Sequence, residues 1–251
     1  MSVTTELTPA IVLGAMRYGE TSRIVKLLTR SGGLCAAIAK GASRPRSPFG
    51  ASLQLLSEGV AHLRPARGEL QPLIAFDVTD LHAGLASHLG RFHAANAMAE
   101  LVVRFVPSQP NSELYDEVVD AIALLELAPP DALPVVSLRG LWRLVREFGL
   151  APVLDECARD GAALAEGAIG FSFRDGGLLC PGCARGGVAT RLAAEDCVAL
   201  RELLSPDADL PVLDDRHVRA HARLLVRWVA IHLSDARLPA LEAWQEGVGE
   251  G

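Results

Sequence analysis

The sequence predicts an α+β chain, a small five-stranded barrel followed by an all-α domain, and three observations predict it. The first 80 or so residues hold five short apolar, β-branched runs separated by turn residues. At Thr79-Asp80 the pattern changes to Ala/Leu-rich segments with helical spacing. Within the second part a Gly/Pro-rich knuckle carries a Cys-x-x-Cys pair. Of the 251 residues, 50% are hydrophobic and 22% charged, which supplies a sizeable core and excludes wholesale disorder. The expected domains are residues 1–80 and 81–251, the second with an insertion at about 155–185.

Pro9 to Ala15, with Ile11-Val12-Leu13, makes the first strand. Ser22 to Arg30 makes the second. Val25, Leu27 and Thr29 share one face and Ile24, Lys26 and Leu28 the other, so apolar residues on both sides call for cover by the barrel interior and by a neighbouring element. Leu34 to Ala39 is the third strand, reached through Ser31-Gly32-Gly33, a connection with glycine where φ must turn positive. Ser43-Arg44-Pro45-Arg46-Ser47-Pro48 cannot form helix or central strand, because each proline lacks a donor and biases its predecessor towards extended backbone. Leu53 to Leu63 and Leu70 to Val78 supply the last two strands, split by the turn-like Arg64–Gly68. Five such strands close as an OB-type barrel or as an SH3-like one.

Leu81 to Val106 reads as a helix stopped by Pro107-Ser108-Gln109-Pro110-Asn111. Glu113 to Leu127 is a second, ended by Pro129-Pro130, and Leu133 to Phe148 a third, closed by Gly149 and Pro152. Ala193 to Leu204 and Arg216 to Leu233 complete the set, and the tail from Gly247 to Gly251 is expected to be loose. No run of about 18 apolar residues is present, so no membrane span is expected. The amino end lacks a signal-peptide core, and five cysteines, three of them clustered, point to a reducing cytoplasm.

Charge is unevenly divided. Residues 1–80 hold nine Lys/Arg and six Asp/Glu, net +3, whereas residues 81–251 hold fifteen and twenty-four, net −9. Between Arg17 and Gly50 stand Arg17, Arg23, Lys26, Arg30, Lys40, Arg44 and Arg46 against Glu20 alone. A hairpin ending in an arginine-bearing loop is an electrostatic surface for a polyanion. With Tyr18, Phe49 and Phe76 the only aromatics of this half, binding should lean on phosphate charge and be steeply salt-dependent.

Cys180-Pro181-Gly182-Cys183 supplies two thiolates pointing one way, half of a tetrahedral zinc site. Cys157 adds a third ligand, and Asp160 stands where a second cysteine of a pair would. Cys3Asp is an unusual structural set, so the alternatives are a zinc knuckle and a metal-free knuckle with spare thiols. Cys35 and Cys197 lie in apolar contexts and read as core. Arg139, Arg143 and Arg146 form one helical stripe and Arg219, Arg223 and Arg227 another; each is a docking site for an acidic peptide or phosphates, or a solvated face paired with local carboxylates. His217 and His221, at i and i+4, read as a helix-surface pair. No phosphate-cradling loop, nucleophile elbow or paired-carboxylate motif is present, so the chain is expected not to be an enzyme.

Three stretches carry a family resemblance: A-I-V-L-x-x-M-R-Y-G-E-T-S-R-I-V-K-L-L-T-R from Ala10, then G-G-L, then A-K-G-A-S-R-x-R-S-x-F-G to Gly50. With F-G-L-A-P (Phe148 to Pro152), G-G-L-L-C-P-G-C and a closing Arg-rich helix, the whole chain resembles the bacterial recombination mediator RecO. The resemblance implies an N-terminal OB-fold, a C-terminal helical domain and, in many members, a zinc knuckle; Asp160 departs from the cysteine of zinc-bearing members. It implies binding to single- and double-stranded DNA, annealing of complementary strands, and work with RecR to load RecA onto DNA coated by single-stranded-DNA-binding protein, in the bacterial cytoplasm and at the nucleoid when acting. By position, Arg23, Lys26, Arg30, Lys40, Arg44 and Arg46 face DNA, and one arginine stripe is expected to receive the acidic tail of the single-stranded-DNA-binding protein. The rival expectations are an OB-fold nucleic-acid-modifying enzyme, with Cys157, Cys180 and Cys183 on a catalytic zinc and Glu166 as base, or an RNA-binding OB protein.

Overall fold

Antiparallel pairing in the amino-terminal part links β1 (Glu6–Tyr18) to β2 (Ser22–Thr29) and β2 to β3 (Gly33–Ala39). β4 (Glu58–Leu63) and β5 (Leu70–Asp80) complete a closed barrel in the order β1-β2-β3-β5-β4, with β3 and β5 parallel and the other pairs antiparallel. This is the OB arrangement, and it decides between the two barrels that the strand pattern allowed. The computed structural model describes residues 5–66, 68, 70–164, 169–185, 190–233 and 236–249.

Val12, Val25, Leu27, Ala37, Leu73 and Phe76 are among the side chains filling the barrel interior. Phe49 and Leu53 join them from the loop between β3 and β4. Sequence alone extends the fourth strand back to Leu53, but pairing begins at Glu58. The residues before it form a chain of turns, with Ser47 N–H bonded to Arg44 O, Gly50 N–H to Ser47 O and Ser52 N–H to Phe49 O. Leu56 takes φ 69° and its N–H returns to Val12 O. The apolar residues of this run plug the barrel instead of extending the sheet.

The second strand is covered twice, as its two apolar faces require. Ile11, Leu28 and Leu34 lie opposite one another on the outer face and are buried, although they stand outside the interior cluster. α1 (Leu89–Phe105) packs on β1. At the β2–β3 turn Gly33 has φ 70°, and a Cβ there would lie 1.9 Å from Gln109 O, so glycine is required twice over. The expected helix from Leu81 to Val106 is broken into a 3-10 helix (Ala83–Ser87) and α1, because His82 adopts a left-handed conformation (φ 46°) and His88 is extended. His82, 5% exposed, bonds Glu126 Oε2 through Nδ1 at 2.9 Å, while Gly84 N–H donates to Glu126 Oε1. Glu126 lies on α2 (Ser112–Leu127), whose first turn is capped by the Asn111 side chain accepting from Leu114 N–H. Compactness places the boundary at Ala128/Pro129, so α1 and α2 belong to the unit of the barrel.

The second unit contains α3 (Leu133–Glu147), a sheet of β6 (Ile169–Ser172), β7 (Gly177–Leu179) and β8 (Thr190–Leu192) in the order β7-β6-β8, then α4 (Ala194–Leu204), α5 (Asp215–His232) and α6 (Pro239–Gly249). Phe171, Phe173, Trp142 and Trp228 stack in its core with centroid separations of 5.2–6.4 Å. The expected loose tail is helical to Gly249, held by the buried Leu241 and by Trp244, whose indole N–H donates to Ser137 Oγ at 3.0 Å. No described helix is long and apolar enough to cross a membrane.

Candidate nucleic-acid interface and metal centre

The β1–β2 hairpin sets Arg17 directly opposite Arg23, and Arg23 in turn opposite Ala39 of β3. Lys40 follows immediately, so three cations gather at one end of the barrel. Ser43 N–H donates to Thr21 O at 2.9 Å, which ties the Arg44/Arg46 loop to the hairpin turn. The Arg44 side chain lies over Gly41. Among the described residues no carboxylate comes within ion-pair distance of Arg17, Arg23, Lys26, Lys40, Arg44 or Arg46. Like charges directly opposite on a sheet repel.

The remaining two candidates sit apart. Lys26 pairs with Gly14 and Ala36, on the strand face opposite to that of Arg23. Arg30 lies seven residues along from Arg23, about 23 Å at strand rise. Its guanidinium grips Asp116 of α2 in a fork, Nε to Oδ1 at 2.9 Å and Nη2 to Oδ2 at 2.7 Å. That bond raises the Arg30 pKa and lowers that of Asp116.

The metal-ligand candidates do come together. Cys157 and Cys180 each head a tight turn closed on their own carbonyl, by Gly161 N–H at 2.8 Å and Ala184 N–H at 2.9 Å. Arg159 ties the turns together, forking onto Asp175 and donating to Cys183 O at 2.9 Å. Asp160 Oδ2 accepts from Cys183 Sγ at 3.1 Å and from Cys180 Sγ at 3.8 Å. The ligand atoms of Cys157, Asp160, Cys180 and Cys183 all lie within 4.8 Å of one another, a set that can hold a metal ion. Hydrogen bonds from the Cys157 and Cys183 thiols hold the Asp160 carboxyl at about 2. The same carboxylate pushes the Cys183 thiol up to about 12, while the Cys183 N–H lowers that of Cys180. Glu166 lies outside the described residues.

The two arginine stripes differ. Arg139 donates to the carbonyls of Glu202 and Asp209, and Arg146 to Leu204 O at 2.8 Å and to Glu147. Glu202 and Leu204 are in the last turn of α4, whose carbonyls lack intrahelical partners, so this stripe caps a helix. Sequence spacing shows the stripe but not the helix end it serves. On α5, Arg223 and Arg227 are exposed, Arg219 is half-buried, and the Arg227 guanidinium rests 4.3 Å from the Phe173 ring centroid. With Arg191, Leu192 and Leu224, Arg223 and Arg227 line a groove of about 430 Å³. His221, expected at the surface, is instead 2% exposed, with Nε2 3.3 Å from Oδ1 of Asp196 on α4. Burial lowers its pKa. His217 is half-buried, with Nδ1 2.7 Å from the Asp214 carboxylate that caps α5.

Comparison with known proteins identifies two family regions, "Recombination protein O N terminal" over residues 1–82 and "Recombination protein O C terminal" over residues 86–242. Among curated relatives, the DNA repair protein RecO of Anaeromyxobacter dehalogenans is 39% identical over 198 residues, 77% of this chain and 76% of that protein. The protein of the same name from a Nocardioides species is 33% identical over 233 residues, 89% and 93% of the two chains. That of a Cyanothece species is 31% identical over 229 residues, 87% and 74%.

Proposed function

The chain belongs to the RecO family of DNA repair proteins, and from that premise we propose that it is a recombination mediator acting by binding rather than by catalysis. The barrel holds single- and double-stranded DNA by its phosphates, brings complementary strands together for annealing, and with RecR helps load RecA onto DNA coated by single-stranded-DNA-binding protein. The observation that carries this is the Arg17–Arg23 pair, like charges set opposite each other with Lys40 beside them and no described carboxylate in range. An anionic backbone crossing the hairpin end relieves that repulsion. Arg23, Lys40, Arg44 and Arg46 are the principal contacts; Lys26 serves the other face, and Arg30, already held by Asp116, contributes least.

For the acidic tail of the single-stranded-DNA-binding protein we assign Arg219, Arg223 and Arg227 rather than Arg139, Arg143 and Arg146. Arg139 and Arg146 already serve carbonyls, whereas Arg223 and Arg227 border an apolar groove. Alanine at the α5 stripe should weaken a tail peptide; unchanged affinity would remove the assignment.

The knuckle fits zinc. Three thiolates and a carboxylate are zinc donors, and their four ligand atoms lie within 4.8 Å of one another. Four protein donors make a closed, structural kind of centre, which favours the mediator over a zinc enzyme, whose metal needs an open position. The site lies in the bacterial cytoplasm, at the nucleoid when DNA is being repaired. Function is tested by strand annealing and by parallel titration with DNA and RNA oligonucleotides. The expected result is annealing that Arg17→Ala/Arg23→Ala abolishes, with DNA bound at least as tightly as RNA. A strong preference for RNA, or turnover of the oligonucleotide, would favour the rival readings.

A further inference from the structure

We propose that the open end of the barrel's outer face is a stacking platform for unpaired bases, with Tyr18 as the residue that lets the protein favour single strands over duplex. This rests on the DNA-binding reading and goes beyond its phosphate contacts. Of the three aromatic side chains in residues 1–80, Phe49 and Phe76 are in the barrel core at 4% and 6% exposure, while Tyr18 is 52% exposed. Beside it Met16 is 62% exposed and pairs with Ile24, Ile24 with Ile38, and Ile38 with Pro72, so one apolar row crosses β1, β2, β3 and β5. The other end of the same face is closed: Ile11, Leu28 and Leu34 are buried.

The flanking chemistry selects the occupant. The next row holds the half-buried Lys26 between Gly14 and Ala36, about 14 Å along the strand from Tyr18. Arg17 and Arg23 alternate with Met16, Tyr18 and Ile24 and so belong to the opposite face, but at the same strand ends as Tyr18. Apolar and aromatic surface bordered by cations without described carboxylate partners suits a chain with π faces and a regular negative charge. A single-stranded nucleic acid has both, whereas a duplex keeps its base faces stacked inside. Phosphate contacts do not tell the two apart, but a ring that takes an unstacked base does.

The test compares an oligothymidylate with a duplex of the same length, binding to the full chain, over a range of salt. Tyr18→Ala should weaken single-strand binding on the order of tenfold or more while leaving the salt slope and duplex affinity unchanged. Tyr18→Phe, which keeps the ring, should bind as the parent does. Because Trp142, Trp228 and Trp244 are all buried, Tyr18→Trp adds an exposed indole whose emission should fall on addition of single strand but not duplex. The proposal is overturned if Tyr18→Ala binds single strands normally, if it loses single strand and duplex equally, or if Tyr18→Phe is as weak as the alanine variant. A change of oligomeric state in Tyr18→Ala would instead assign the patch to a protein contact and would also overturn it. Failure of the underlying reading looks different: Arg23→Ala would then leave the salt slope for both ligands where it was.

Discussion

Arg23 lies on β2 and Arg30 just past its end, and their surroundings give them different work. The Arg30 guanidinium is committed to Asp116 through two hydrogen bonds, an intramolecular substitute for a phosphate. Asp116→Ala should free it, raising DNA affinity and steepening the salt slope, and Arg30→Ala should change that slope less than Arg23→Ala does. Filter binding over a salt series reads both. At the buried His221 the balance is one of desolvation. Burial in the fold lowers its pKa from the ordinary 6.5, despite the opposing Asp196 carboxylate, and the nearby His217 lowers it further. A group whose folded pKa is depressed binds fewer protons folded than unfolded, so its contribution is complete above about 6.5 and is lost as pH falls towards the folded value. Urea unfolding of the parent should therefore show a loss of stability between neutral pH and about pH 5.5 that His221→Leu reduces.

Elements show where sequence patterns were sufficient and where they were not. Strands β1, β2, β3 and β5 and helices α2 to α5 follow directly from alternation, helical spacing and the proline and glycine stops, because each depends on neighbours in sequence. Leu53 reads as strand in the sequence because an apolar residue that plugs a barrel and one that lines a sheet look alike locally; only closure of the barrel distinguishes them. The break at His82 depends on Glu126, forty-four positions away, and the small β6–β8 sheet on pairing across the knuckle. The meeting of Cys157, Asp160, Cys180 and Cys183 was legible from their spacing. Its prediction belongs at this scale: protein purified without chelator should hold about one zinc, Asp160→Ala should lose it, and Asp160→Cys should retain it against a stronger competing chelator. Metal analysis that finds no zinc in the parent would make the cluster a metal-free knuckle held by thiol–carboxylate hydrogen bonds.

Across the whole molecule, charge is the organising quantity. A net charge of −6 would predict weak attraction to nucleic acid, yet residues 1–80 carry net +3 and the acidic excess lies in the rest of the chain. What composition could not foresee is the finer sorting within the basic stretch. The cations of the hairpin end and the loop lack described carboxylate partners, Lys26 faces the other way, and Arg30 is neutralised locally. Association should be fast at low ionic strength and fall steeply with salt, with little preference for base sequence in the phosphate contacts. The most direct test is the slope of log affinity against log salt for single-stranded DNA in the parent and in single alanine variants. Each of Arg23, Lys40, Arg44 and Arg46 should lower the slope by about one unit, with uniform loss across sequences. Slopes unchanged in all four would contradict the assignment of the barrel's hairpin end as the DNA-holding surface.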